Sequence, residues 1–386
     1  MHRPLTKTAR PLITAIVTAL SCHAAADANT KLIDAVVQDS AKAVMDRYEI
    51  PGMAIAVTAH GQHRFFDLGV ASTKTGQPVT RDTLFEVGSV SKTFTATLAA
   101  YAQAQGKLSL NDSPGRYLPS LDSDALGRVS LIDLATHTAG GFPLQLPDDI
   151  RTEPQLTRYF ENWRPQYPTG TYRNYANPSI GLLGRVAAAS LGTSYADALQ
   201  SQLLPKLGMT DTYIQVPPAQ MTRYAQGYNK DGEPVRLNPA PLADEAYGVK
   251  TTSKDLLRFV DAQLGVVETD ALINNAISAT RTGYYRVGSM TQDLVWEQYQ
   301  YPTKLKDLLA GNGSSMILDS QPVEPIVPPL APQQSVWINK TGSTNGFGAY
   351  VAFVPAKQVG IVLLANRYYP NEERAKLAYR ILEQLD

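Results

Sequence analysis

The chain has 386 residues, of which 35 are basic, 35 acidic and only one, Cys22, is cysteine; 44% are hydrophobic. This balance excludes the basic stripe that a nucleic-acid partner requires, and a single cysteine excludes a disulfide framework. The length supports a substantial core and two lobes.

The chain opens with Arg3, Lys7 and Arg10, runs through the apolar Pro11 to Leu20 and reaches Ala24, Ala25 and Ala26. This is the three-part plan of a secretory signal peptide over residues 1–26. Its apolar stretch is well short of the roughly 20 residues that span a bilayer. Cleavage after Ala26 is the simplest expectation, and a cut after Ala28 also fits. The cut after Ala26 leaves 32 basic and 35 acidic residues, and either cut leaves no thiol. The alternative is a lipoprotein signal, Ala19-Leu20-Ser21 before Cys22, which lacks the usual leading leucine.

From Lys31 to Tyr48, Ile33, Val36, Val37, Ala41, Val44 and Met45 recur at helical spacing, which predicts an amphipathic helix stopped by Ile50-Pro-Gly52. Met53 to Ala59 and His63 to Val70 read as a hairpin about His60-Gly61. Phe94, Leu98 and Tyr101 mark a second helix behind Ser89. Residues 105–235 contain helical runs such as Ile180 to Ser190 and Tyr195 to Leu207, interrupted by prolines, and are expected to form a mainly helical lobe. Gln321 to Pro332 holds five prolines in twelve residues and is expected as a loop or irregular excursion. Ser335 to Asn339, Phe347 to Val354 and Val359 to Ala365 read as strands, and Leu377 to Leu385 as a closing helix. Both ends therefore supply helix and antiparallel strands. The economical fold is one sheet built from 27–104 and 236–386, covered by helices, with the helical lobe inserted.

Three motifs carry chemistry. Ser89-Val-Ser-Lys92 places a hydroxyl at a helix start with an amine one turn inside, where burial would let Lys92 serve as the base that serine lacks. The Ser89 N–H at the helix start could also face a developing oxyanion. Read alone, the same residues also make an ordinary serine N-cap followed by a solvated lysine. Tyr175-Ala-Asn177 offers a phenol that two lysines would make easier to ionise, and an amide suited to an amide on the substrate; alone, it is equally a turn entering the next helix. Lys340-Thr-Gly342 follows the apolar Val336 to Ile338 and precedes a glycine-spaced run, which reads as an edge strand where a ligand can approach the backbone. There the Ser343 N–H could supply a second oxyanion donor, and Lys340 could hold a carboxylate while lowering the tyrosine pKa. Alone, it is also a surface strand. The same tripeptide at Lys74-Thr-Gly76 lies in a polar turn and is assigned to the surface. His60 and His63 read as surface residues at the hairpin, and His137 as a packed, hydrogen-bonded histidine.

Together, Ser89 to Lys92, Tyr175 to Asn177 and Lys340 to Gly342 resemble the class C serine beta-lactamases, the cephalosporinases exported by Gram-negative bacteria. Phe85 to Lys92, Ala243 to Gly248 and Leu364 to Asn366 are similar to family stretches. The resemblance implies the two-lobed α/β (α+β) serine beta-lactamase/penicillin-binding fold. It also implies hydrolysis of cephalosporins and penicillins through a Ser89 acyl-enzyme, giving antibiotic resistance, with no cofactor or metal. It gives Lys92 and Tyr175 proton transfer, and an oxyanion hole to the Ser89 and Ser343 N–H groups. Gln145 and Asn177 would meet the substrate's side-chain amide, Tyr247 would line the pocket, and Thr341, Gly342 and Asn371 would join Lys340 at the carboxylate, with Glu297 in the surrounding polar network. The partner would be a small lactam, met by a periplasmic monomer without nucleic acid or stable membrane insertion. Asn345, Tyr368, Asp293 and Val295 depart from common members. The rivals are a cell-wall peptidase or esterase on the same scaffold, and a penicillin-binding sensor that is acylated without turnover.

Overall fold

The structure, a computed structural model, describes residues 33–385 apart from 122 and 239, so the expected export signal lies outside the described residues. Helix α1 spans 33–48. Ile33, Val37 and Ala41 share one of its faces and are buried with the sheet. Strands β1 (Gly52–Ala59) and β2 (Gln62–Gly69) form the expected hairpin. It turns at His60 and Gly61, both with the positive φ that a tight hairpin turn demands.

Helix α2 (Ser91–Ala104) is buried on all sides from Ser91 to Ala102. Its small residues permit this, and Thr93 and Thr97 return their hydroxyls to backbone carbonyls one turn back. Helices α3 (Asn177–Ser190) and α4 (Ala243–Tyr247) pack against α2 and against each other. Helix α5 (Ser253–Leu264) covers the sheet, and α6 (Ala271–Thr280) covers α2.

The remaining strands are β3 (Gly283–Val287), β4 (Met290–Gln292), β5 (Glu297–Gln300), β6 (Glu324–Leu330), β7 (Val336–Ser343), β8 (Gly348–Val354) and β9 (Val359–Ala365). Helix α7 (Asn371–Leu382) closes the fold. The nine strands form one antiparallel sheet in the order β6-β3-β4-β5-β7-β8-β9-β1-β2, so both ends of the chain meet at β9 and β1. Asn366 secures that meeting by accepting from Gly52 N and donating to Val70 O.

Period-two alternation divides the core. Ala54, Ala56, Val351, Phe353, Val362 and Leu364 face the helical side, whereas Met53, Ile55, Tyr350, Ala352, Ile361 and Leu363 face α1 and α7. The two-lobed sheet and helix architecture is thus as expected. The 321–332 segment differs from expectation: β6 is a strand, confined to the sheet edge and broken in register between Pro325 and Leu330, because prolines cannot donate to a full ladder. The regular structure of the 105–235 segment is mostly helical, joined by turns and loops, with Tyr195 to Leu207 split into α, π and 3₁₀ pieces. A small sheet joins Phe85–Glu86 and Thr212–Tyr213 to Lys250–Thr251, stitching that segment to its flanks.

Phe94 of α2 stacks on Phe259 of α5 with ring centroids 4.5 Å apart, and both are fully buried. Phe94→Ala is therefore expected to cost about 3–5 kcal/mol of stability. Urea unfolding of the variant against the parent measures it.

Candidate active site

Ser89 lies in a 3₁₀ turn, Gly88–Val90, that runs directly into α2. Lys92 is one turn further along and has no exposed surface. Its Nζ donates to Ser89 Oγ at 2.9 Å, Asn177 Oδ1 at 2.5 Å and Ala246 O at 2.8 Å, so three acceptors meet three ammonium protons. Burial lowers the Lys92 pKa; the positive charge of Lys340 lowers it further, Tyr175 opposes them, and the result is about 8. A neutral Lys92 has a lone pair that can accept a proton, and of these three partners only the Ser89 hydroxyl has one to donate.

Tyr175 precedes α3, which begins at Asn177. Its ring is buried, with Lys340 Nζ at 5.0 Å from the centroid and Lys92 Nζ and the Arg173 guanidinium each at 5.3 Å. Burial alone raises a phenol's pKa. Here Lys340, then Lys92, and the hydrogen bond from Ser89 outweigh it and bring Tyr175 down to about 8.

Lys340 falls on the face of β7 shared with Val336 and Ile338, so alternation carries it beneath the site. It is 1% exposed and its Nζ is 3.7 Å from Glu297 Oε1. The expectation of an edge strand is half met. Strand β7 is central, but β5 pairs with it only from Val336 to Asn339, leaving Lys340 to Ser343 bonded on one side, to β8. Gly342 lies in that half-open stretch: a Cβ there would come within 2.0 Å of Val87 O and 2.9 Å of Ser89 N. Only glycine allows the strand to cross the Ser89 turn this closely, which brings the backbone of Ser343 beside that of Ser89.

A cavity of about 1450 Å³ opens over these groups, and Ser89, Tyr175, Asn177, Gln145, Tyr247, Thr341, Gly342, Ser343 and Asn371 all line it. Lys92, Lys340 and Glu297 lie behind the wall instead. Glu297 is buried, pairing with Arg173 Nη2 at 3.0 Å and accepting from Asn339 Nδ2 at 3.3 Å. Of the unusual positions, Asn345 and Tyr368 line the cavity, whereas Asp293 and Val295 form the β4–β5 turn. Lys74 and His63 are exposed, His63 bonding Asp261 at 2.6 Å.

Sequence reasoning missed two arginines. Arg173 also donates to Gln292 Oε1 and Met316 O, both at 2.6 Å. Arg374 has no exposed surface and donates to Gly342 O at 2.7 Å, to Ser343 Oγ at 2.9 Å and to Tyr369 O, holding the end of β7 from behind. Arg173 lies two residues before Tyr175, a spacing that hinted at it; nothing marked Arg374.

The sequence matches the Beta-lactamase family over residues 37–386. It is 52% identical over 350 residues to a beta-lactamase of Lysobacter lactamgenus, covering 91% of each chain. Among solved structures, a beta-lactamase/D-alanine carboxypeptidase from Pseudomonas syringae is 56% identical, with a TM-score of 0.90 over 91% of this chain and 99% of that one. A class C beta-lactamase in complex with cefoxitin is 51% identical, with a TM-score of 0.89 over 92% and 99%.

Gly342→Ala is expected to displace the Ser89 or Ser343 N–H and slow acylation of Ser89 by a beta-lactam about a hundredfold, the scale of losing one oxyanion donor. Stopped-flow acylation, with circular dichroism to confirm folding, is the measurement.

Proposed function

We infer the division of labour in this site from the premise that the chain belongs to the class C serine beta-lactamase family, whose members open the beta-lactam ring through a serine acyl-enzyme. The chain is a hydrolase of that kind. The observation that carries the assignment of roles is the half-buried Ser89 set against the buried Lys92 and Tyr175, with Lys340 against the phenol.

Ser89 is the nucleophile. Its proton passes to the Lys92 and Tyr175 pair, a coupled unit whose two groups both titrate near 8. The Ser89 and Ser343 N–H groups receive the negative charge that develops on the lactam carbonyl oxygen. Tyr175, facing the cavity, returns a proton to the departing ring nitrogen and then takes one from the water that cleaves the ester. Asn177 gives its Oδ1 to Lys92, so its NH₂ group is left for the substrate's side-chain amide, beside Gln145. Tyr247 walls that end. Thr341, Gly342 and Asn371 form the carboxylate end, where the buried charge of Lys340 acts at one remove while its main effect is on Tyr175. Glu297 neutralises Lys340 and Arg173 from below.

The substrates are cephalosporins and penicillins, a reading supported by the likeness to the class C enzyme with bound cefoxitin. We read the chain as a monomer. Among the described residues no helix is long and apolar enough to cross a membrane. We place the mature protein, with its sheet lobe from 27–104 and 236–386 and its helical lobe from 105–235, in the periplasm after removal of 1–26.

The decisive assay follows a chromogenic cephalosporin past one equivalent. Sustained turnover, abolished by Ser89→Ala, is expected; a burst that stops at one acyl group per protein would instead mark a penicillin-acylated peptidase. The pH dependence is a second expectation. The base is the deprotonated form of the pair, so kcat/KM should rise with pH through about 8. Lys340→Met removes a charge that lowers both groups and should move that limb up by about one unit or more.

A further inference from the structure

His137 occupies a position where the backbone would prefer another residue. It follows the short helix Leu131–Ala135 in the left-handed region, with φ 63°, where glycine or asparagine is the usual occupant. Its imidazole is 2% exposed, and Nε2 is buried with no hydrogen-bond partner among the described residues. A strained backbone and an unsatisfied buried nitrogen at one residue point to a side chain retained for a reason other than filling space.

The contacts indicate that reason. Nδ1 accepts the N–H of Ala176 at 3.2 Å, and the His137 carbonyl accepts the N–H of Asn174 at 2.8 Å. His137 thus grips the chain on both sides of Tyr175, by its ring and by its backbone. The ring packs on Tyr175 with centroids 4.5 Å apart and planes 40° apart. Since Nδ1 accepts, the proton of a neutral ring is on Nε2. Burial, then Arg173, Lys92 and Lys340, all oppose a second proton, holding the imidazole neutral well below its ordinary range. The Tyr175 ring therefore meets three cations and one uncharged acceptor-bearing ring.

We propose that His137 is the positioning residue for Tyr175, a neutral imidazole that packs on the phenol and, by accepting the Ala176 N–H, fixes the turn from which that phenol reaches Ser89. The proposal rests on Tyr175 being the proton-transfer group assigned above. A phenylalanine would keep the packing and lose the acceptor. A cation would change the charge around the phenol. Asparagine tolerates the left-handed backbone and supplies an oxygen in place of Nδ1.

The experiment compares His137→Phe, His137→Ala and His137→Asn with the parent, using the pH profile of kcat/KM for a chromogenic cephalosporin and thermal melting. A misplaced phenol is expected to lower kcat/KM about tenfold or more in the Phe and Ala variants. Their pH limb should move upward, as Tyr175 leaves the cations that depress it. His137→Asn is expected to stay within about threefold of the parent with its limb in place, because the acceptor survives. In a Tyr175→Phe background His137→Ala should cost no further activity. The proposal is overturned if folded acceptor-free variants keep the parent profile, or if Asn falls as far as Phe. It is also overturned if both acceptor-free variants fail to fold while Asn folds, which would assign His137 to stability alone. If Tyr175→Phe itself retains the parent rate and limb, it is instead the role of Tyr175 that fails.

Discussion

Three buried or nearly buried cations, Lys92, Lys340 and Arg173, surround the single phenol of Tyr175, and the arrangement of the rest of the molecule follows from making that cluster tolerable. Burial by itself would push the phenol up and the ammonium down, which would leave Tyr175 protonated and inert near neutrality. The cations reverse the first effect. Both groups then titrate near 8, close enough for a proton to pass between Ser89, Lys92 and Tyr175 without a large barrier in either direction.

Cations cannot be gathered out of water without compensation. One carboxylate, Glu297, supplies much of it, and the β5–β7 register sets it opposite Asn339, within reach of both Arg173 and Lys340. Lys92 is satisfied by three oxygens from α2's own turn, α3 and α4. The Ser89 and Ser343 N–H groups, the proposed oxyanion donors, depend on a different constraint, steric rather than electrostatic. Strand β7 loses its β5 partner after Asn339, and Gly342 then lets it lie directly on the Ser89 turn, with Arg374 holding Gly342 O and Ser343 Oγ from the far side. Charge compensation and close backbone approach meet within one strand, at residues 339–343.

Much of this was legible in the sequence. Spacing placed Ser89 and Lys92 on one side of a helix start, and period-two and period-3.6 patterns located the hairpin, the last three strands and the closing helix. The Lys340 tripeptide could be told from its Lys74 duplicate by the apolar strand leading into it. The hidden part concerned depth and long-range pairing. Lys340 was expected to hold a carboxylate while lowering the tyrosine pKa; its closeness to Tyr175 fits the second half, whereas its depth was not legible, because which side of a strand faces the ligand depends on the neighbouring strands. The β6 prolines argued against a strand, yet an edge position accommodates them. His137 was legible as a packed, hydrogen-bonded histidine but not as a neighbour of Tyr175, and Arg173 and Arg374 show their part only through burial and distant partners, more than a hundred residues away in the case of Arg173 with Glu297.

The chemistry of the site depends on the ionisation of one side chain, which can be observed without substrate. Tyrosine labelled with carbon-13 at Cζ, titrated by NMR and assigned by Tyr175→Phe, reports each phenol in turn. One resonance, absent from the variant, is expected to titrate near 8, the value the flanking lysines impose on Tyr175. If the Tyr175 resonance instead holds its protonated shift to about 10, the ordinary range of a free phenol, the cations do not govern it and Tyr175 is not the proton-transfer group they prepare.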